Sequence, residues 1–305
     1  MRRAVAASIA LSVVFALAGC GGRPAGTDGD LTNGWPAMPQ ARVSVPVVGA
    51  CYPGQYTAPG RIVRVWSTDV NTVDCATSHY SETAFVGTFS GADAQRSAVP
   101  DADGPAMPAV YDQCGKGVAG YLGGDPHSAM VRIEVELPTN AAWRGGARWF
   151  RCDLVHLSDP FGSNWVSHDS LKGDLTGARV SAYACVDTTE DSGHQIQTTR
   201  VAQCASPHAA EFAGTFTAAN VPFPADKAAR DKMLENGCTP VVAAFLGYQS
   251  VSQWRNQAVG WWALGWDEDA WKLGNRTTQC FAYAYTKSGK FVGSVKGIKD
   301  QAPKG

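Results

Sequence analysis

Apolar and polar positions follow two periods along this chain. RIVRVWST (residues 61–68) and TAFVGTF (83–89) are short runs of β-branched and aromatic residues, which predicts strands. MVRIEVELP (130–138) alternates, with Met130, Ile133 and Val135 among its apolar members, and predicts a half-buried strand; ARWFRCDLVHL (147–157) predicts another. Between them MPAVYDQCGKGVAGYLG (107–123) carries Val110, Cys114, Val118 and Tyr121 at helical spacing and stops at Gly123-Gly124. The same order returns later, with a helix from about Ala225 to Leu246. Pro240 is expected to kink or restart that helix, because it lacks an N–H and crowds the preceding turn. The polar, glycine-containing stretch from Phe161 to Thr176 reads as a linker.

The return is an internal repeat. VDCATSHYSETAFVGTF closes at Phe89 and VAQCASPHAAEFAGTF at Phe216; each sets a histidine four residues after a cysteine and a glutamate three after that, then Gly-Thr-Phe. Seven residues after a later cysteine stand Tyr121-Leu122-Gly123 and Phe245-Leu246-Gly247. Trp143 and Trp271, Gly146 and Gly274, and Arg148 and Arg276 share their distances to a last cysteine. A unit of about 110 residues is too long for a solenoid repeat and suits two copies of a small domain.

The N-terminus is different in kind. MRR is a positive start, AVAASIALSVVFA an apolar stretch shorter than a membrane span needs, and LAGC ends it. Small residues before a cysteine resemble a bacterial lipobox. That resemblance implies cleavage before Cys20 and lipid, palmitate included, on its thiol, which would hold the chain on the outer face of the cell membrane. The following Gly- and Pro-rich residues read as a tether. Charged residues are 17% of the chain and the net charge is −1, so no basic surface for nucleic acid is expected.

Eight further cysteines, in an exported chain, imply disulfides. They fall as Cys51, Cys75, Cys114 and Cys152, then Cys185, Cys204, Cys238 and Cys280. Three pairings per repeat are open. The favoured one joins Cys75 to Cys114 and Cys204 to Cys238, pinning the helix to the preceding strand, and Cys51 to Cys152 and Cys185 to Cys280, tying the ends. The whole series, cysteine, V-x-C-x-x-x-H-x-x-E, a helical cysteine and W-x-x-G-x-R-x-x-x-C, resembles the septum-formation domain of actinobacterial envelope proteins, in two tandem copies. The first copy reads CATSH where that family usually has Pro before His, as CASPH does in the second. The resemblance implies a place in division-septum formation and no particular chemistry.

Three chemistries compete for the conspicuous residues. His79 with Glu82, and His208 with Glu211, offer two metal ligands each, where zinc needs three or four; the adjacent cysteines are expected as disulfides, so no metal is expected. A histidine oriented by a carboxylate also begins a hydrolase, but no G-x-S-x-G accompanies it, and Ser78 and Ser206 stand at unmatched offsets. The third reading is duplicated scaffolding. Trp254, Trp262 and Trp266, unmatched in the first copy, are the candidate binding surface. DADG at Asp101–Gly104 lacks the glutamate of a calcium loop and reads as a turn.

The sequence therefore predicts an α+β fold of two tandem small domains, each a mostly antiparallel sheet with one main helix and two disulfides. The expected divisions are a lipoprotein signal (1–20), a tether (21–46), domain one (47–160), a linker (161–178), domain two (179–298) and a tail (299–305). The expected function is non-enzymatic binding in the cell envelope, without a cofactor, toward an envelope protein or cell-wall glycan. The alternative is an envelope hydrolase or metal-binding protein working through His79/Glu82 and His208/Glu211.

Overall fold

The structure, a computed structural model, describes residues 44–53, 62–65, 71–162, 167–192 and 195–304. Cys20, its lipidation and most of the tether lie outside the described residues. The first repeat runs β1 (Cys51–Tyr52), β2 (Val63–Val65), β3 (Ser81–Thr88), α1 (Gly91–Ala94), α2 (Met107–Leu122), β4 (Val131–Leu137), α3 (Asn140–Arg144) and β5 (Trp149–His156). The second runs β6 (Cys185–Glu190), β7 (Ile196–Ala202), β8 (Ala210–Thr217), α4 (Lys227–Phe245), β9 (Val259–Ala263), α5 (Glu268–Lys272) and β10 (Thr277–Ala284). Each repeat is one five-stranded sheet with one long helix, an α+β unit, as the hydrophobic periods predict. The helix α4 continues through Pro240 between Lys227 and Phe245 without a break, so the expected restart does not occur.

Strand order is β1-β3-β5-β4-β2 in the first sheet and β7-β6-β8-β10-β9 in the second. Four strands correspond, β1-β3-β5-β4 with β6-β8-β10-β9, while the segment between the first two cysteines goes separate ways. In the first copy β2 lies parallel to β4 at the far edge; in the second β7 folds back on β6 as a hairpin. Alternation along β5 turns Phe150, Cys152 and Leu154 toward α2 and leaves Arg151, Asp153 and Val155 on the other face. In β10, Cys280, Ala282 and Ala284 join the core under α4, and Phe281 and Tyr283 face away.

The disulfides join first to second and third to fourth cysteine, which corrects the expected pairing. They are Cys51–Cys75, Cys114–Cys152, Cys185–Cys204 and Cys238–Cys280, with Cα–Cα distances of 5.2 to 5.5 Å. Cys51–Cys152, Cys75–Cys114, Cys185–Cys280 and Cys204–Cys238 do not form. The reason is topological. The helix lies over the middle of the sheet, where the last strand of each repeat runs, so Cys114 and Cys238 meet Cys152 and Cys280. The loop before the His-Glu stretch returns alongside β1, where Val73 pairs with Cys51 and brings Cys75 up to it.

One helix–strand contact is packed oppositely in the two copies. A β-bulge follows each shared glutamate: Thr83 faces Asp153 while Phe85 faces Cys152, and Phe212 faces Phe281 while Gly214 faces Cys280. Phe85 is thus the counterpart of Gly214, and Gly87 of Phe216; the two Gly-Thr-Phe strings stand two residues out of register. The helices compensate. A Cβ on Gly117 would lie 2.3 Å from the Phe85 ring, and one on Gly237 would lie 2.1 Å from the Phe216 ring. Measured from the helical cysteines, Gly117 and Gly237 are one turn apart, about 6 Å along a helix. Two strand residues span about the same length. The phenylalanine and the glycine that admits it have moved together.

The repeats are joined by more than the connecting chain. Ser181 and Tyr183 bond to residues 128 and 130 of the first repeat, at 3.0 Å from Tyr183 N–H to the Ser128 carbonyl. Tyr80, Met130, Val155 and Leu157 from the first repeat share one apolar cluster with Val186, Ala210, Phe281 and Tyr283 from the second.

Candidate functional site

The duplicated clusters sit at matching places. Cys51 pairs with Glu82 across β1 and β3, and Cys185 with Glu211 across β6 and β8. Potential ligand atoms of Cys51, His79 and Glu82 lie within 4.8 Å of one another, as do those of Cys185, His208 and Glu211. All six residues are buried.

Their partners are internal. Oε2 of Glu82 accepts the Leu171 N–H at 2.7 Å, and Oε1 accepts the hydroxyls of Ser170 and Tyr121. Oε2 of Glu211 accepts the Val295 N–H at 2.7 Å, and Oε1 accepts the Ser294 hydroxyl at 2.6 Å. Nδ1 of His79 lies 2.8 Å from the Thr77 carbonyl and Nδ1 of His208 2.8 Å from that of Ser206. A carbonyl only accepts, so Nδ1 carries the proton and donates. Each Nε2 is buried without a partner among the described residues, so no hydroxyl donates to it as a nucleophile would. With the cysteine sulfurs in disulfides and the carboxylates holding donors, one imidazole nitrogen per cluster remains. That is short of a zinc site.

What the glutamates hold is a second duplicated motif that sequence reasoning missed: Ser170-Leu171-Lys172-Gly173 and Ser294-Val295-Lys296-Gly297. Ser167 and Phe291 pair with His79 and His208 just before it. Just after it, Gly173 N–H bonds the Tyr121 carbonyl at 2.8 Å and Gly297 N–H bonds the Phe245 carbonyl at 3.0 Å. These straps satisfy the last carbonyls of α2 and α4. Leu171 and Leu175 join the first core, so part of the stretch read as a linker completes domain one. The matched S-x-K-G spacing was the available signal. Burial, with Glu82 beside it, raises the Tyr121 hydroxyl above its ordinary range.

The outer faces of the two sheets carry different chemistry. In the first repeat Arg151 holds Asp153 at 2.7 Å, Thr83 donates to Asp153 at 2.8 Å, and Arg132 holds Glu134 at 2.6 Å. Arg64 pairs with Glu134 and stands 3.6 Å from Glu136. Burial, and then the Asp153 charge, push the Glu136 carboxyl up to about 7. In the second repeat the register puts Phe281 where Asp153 stands and Trp262 where Glu134 stands. Those rings pack at 4.8 Å, with Phe212 at 5.7 Å from Phe281.

The three candidate tryptophans therefore part company. Trp254 packs on the second core, its N–H bonded to the Asn256 carbonyl at 3.0 Å. Trp262 belongs to the aromatic face and meets Phe161 at 6.1 Å. Trp266, half-buried, lines a cleft between the repeats.

That cleft is a concavity lined by polar side chains of both repeats. A cavity of about 320 Å³ around His127 and Trp266 adjoins one of about 720 Å³; Tyr111, His127 and Asn275 line both. His127 projects from a 3₁₀ turn after α2, where Asp125 accepts its N–H at 3.0 Å and contacts its Nδ1 at 2.9 Å. Its Nε2 lies 3.2 Å from Asn275 Oδ1, across the repeat boundary. The hydrogen bond from His127 holds the Asp125 carboxyl below the ordinary carboxylate range, and burial pushes the Tyr111 hydroxyl up to about 12, so it stays a neutral donor. Gln279 reaches back to the His127 carbonyl at 3.0 Å. Because its walls come from Ile62 and from residues 108–133 and 217–279, no contiguous motif announced it.

A family model described as "Septum formation" matches residues 60–280, across both repeats. No curated protein and no solved structure matches the chain. The matched span covers most of the chain and both cysteine-helix-cysteine units: this protein belongs to the septum-formation family.

Proposed function

We propose that the protein is a lipid-anchored, extracytoplasmic binding scaffold that acts in the cell envelope during septum formation. The family supports the process. The LAGC sequence ending at Cys20 supports the anchor on the outer face of the membrane. The observation that carries the non-catalytic reading is the condition of the two His-Glu pairs: both carboxylates are engaged by internal donors and neither histidine bonds a hydroxyl among the described residues. The inter-repeat cleft is then the working surface, with an envelope protein or cell-wall glycan as its partner.

The test is complementation in cells depleted of the protein. Cys20→Ala should move the protein out of the membrane fraction or leave it unprocessed, and His127→Ala should fail to restore septation at normal protein level. Crosslinking should capture partners with the parent and lose them with His127→Ala. Release of soluble fragments from purified cell wall by the protein would replace the scaffold reading with the hydrolase one.

A further inference from the structure

The duplication supplies an internal control for every residue it copies, and one pair fails it. Arg148 and Arg276 occupy the same place in W-x-x-G-x-R. Arg148 lies 4.2 Å over the Trp143 ring, and its guanidinium donates to the carbonyls of Ala94, Trp143 and Ala147. Arg276 lies 5.0 Å over Trp271, but its guanidinium makes no hydrogen bond or ion pair among the described residues, and its Nε is buried without a partner. The cause is visible in the chain. Ala94 ends α1, and the second repeat has no helix at the matching place; residues 218–225 are irregular there. Leaving a buried guanidinium donor unmade costs free energy that a ligand oxygen would recover.

Arg276 lines the 720 Å³ cavity, which falls within the roughly 300–1,000 Å³ of small-ligand sites. In the adjoining 320 Å³ cavity, which Asn275 also lines, Trp266 has its N–H bonded to the Arg276 carbonyl at 2.9 Å and its ring packed on Trp271 and Phe216, so what the indole can offer a ligand is the carbon surface left on the cavity side. Gln279 uses its amide nitrogen on His127, leaving its carbonyl oxygen to accept. Asn275 uses its oxygen on His127 and the Thr277 N–H and donates from its amide nitrogen to the Tyr111 hydroxyl; that nitrogen carries two N–H groups, so one is left to donate.

We infer that this cleft binds an acidic saccharide: Arg276 takes a carboxylate on the sugar, Trp266 packs on a C–H face of the ring, and Asn275 and Gln279 bond its hydroxyl or acetamido groups. A pyranose is apolar on its faces and polar at its edge, which matches one carbon wall flanked by an amide donor and an amide acceptor. An acidic peptide would satisfy Arg276 but has no flat C–H face to set against the indole. The inference rests on reading the cleft as the binding surface and names its ligand class.

Titration of the full-length protein in detergent, followed by calorimetry, tests it with three probes: a hyaluronan hexasaccharide, which alternates glucuronate with N-acetylglucosamine; neutral chitohexaose; and a hexaglutamate peptide. The hyaluronan oligomer should bind, with chitohexaose about tenfold weaker or worse. Arg276→Gln should erase that difference with only a small change in melting temperature, since the guanidinium makes no hydrogen bond or ion pair among the described residues and gives up only its packing on Trp271. Gln279→Ala should weaken both sugars. Equal affinity for the two sugars, tighter binding of hexaglutamate, an Arg276→Gln variant that binds like the parent, or no sugar binding at millimolar concentration would each overturn the inference. The complementation result with His127→Ala stands apart from these outcomes, so a cleft that works on another ligand is recognisable.

Discussion

Oε2 of Glu211 accepts the backbone N–H of Val295 at 2.7 Å, the distance at which Glu82 accepts that of Leu171. A carboxylate was placed in each repeat where the chain, having finished its last strand, must be brought back over the helix end. Removing it strands a buried N–H together with the Ser294 hydroxyl in the second repeat, or the Ser170 and Tyr121 hydroxyls in the first. Glu82→Ala and Glu211→Ala should each destabilise the protein by about 1–3 kcal/mol in denaturant unfolding. Glutamine should do less harm, because it keeps one accepting oxygen and the serine hydroxyl can turn to accept from its amide. Alanine variants that unfold like the parent would remove the strap argument.

The disulfides make a second test. Non-reducing peptide mapping should find Cys51 with Cys75, Cys114 with Cys152, Cys185 with Cys204 and Cys238 with Cys280. The helix bridges span 38 and 42 residues and the edge bridges 24 and 19. Chain entropy gives about 4 kcal/mol for the longer loops and about 3 for the shorter. Paired serine substitution at Cys238 and Cys280 should therefore cost more than at Cys185 and Cys204, and burial of the helix bridge widens the gap. A larger loss at the edge pair would contradict it.

Glu136 predicts a pH dependence. Its carboxyl is raised from 4.5 to about 7, so the folded chain holds this proton more tightly than the unfolded chain does. The stabilisation is complete below the unfolded value and is lost as pH climbs through about 7. A shift of this size corresponds to at most about 3 kcal/mol. Glu136→Gln, which cannot ionise, should melt higher than the parent at pH 8 and converge on it toward pH 5. The difference between the two curves isolates Glu136 from the other groups that titrate with it.

A double-mutant cycle tests the exchanged packing. Gly117→Val should collide with Phe85 and cost about 1–3 kcal/mol despite valine's better helix propensity than glycine's. Phe85→Gly alone opens a cavity. Together they reproduce the Gly214–Val241 contact of the second repeat, where a Cβ on Gly214 would stand 3.0 Å from Val241. The pair should lose less than the two single losses combined, and strict additivity would show that the sites are uncoupled.

Much of the fold was legible because the periods are strong. Val110, Cys114 and Val118 mark the buried face of α2, and the alternation around Ile133 and Val135 marks β4. The duplicated Cys-His-Glu cluster was legible as a unit, and its internal partners fit scaffolding. The pairing of the cysteines was not legible, because which strand runs under a helix is set by sheet order, and order leaves no local pattern. Trp254, Trp262 and Trp266 looked alike in sequence since all three lack a counterpart; only Trp266 lines the cleft, because its neighbours come from both repeats. Arg276 was hidden by its likeness to Arg148. A matched position says that two residues share a backbone site and is silent on whether they share partners.

The Phe85–Gly117 and Phe216–Gly237 contacts bear on how such a gene keeps its two copies. Tandem copies invite crossing-over between misaligned repeats, which shortens an array to a single hybrid unit. A crossover between the β3 and α2 codons would join the strand of the first copy to the helix of the second, and set Phe85 against Val241. The reverse product would set Phe216 opposite Gln113. Both hybrids press two large side chains into space built for one, a cost comparable to that of overpacking any close-packed core. Compensated pairs that have slipped by one turn thus penalise recombinants within each unit, and they favour inheritance of the two domains as separate wholes.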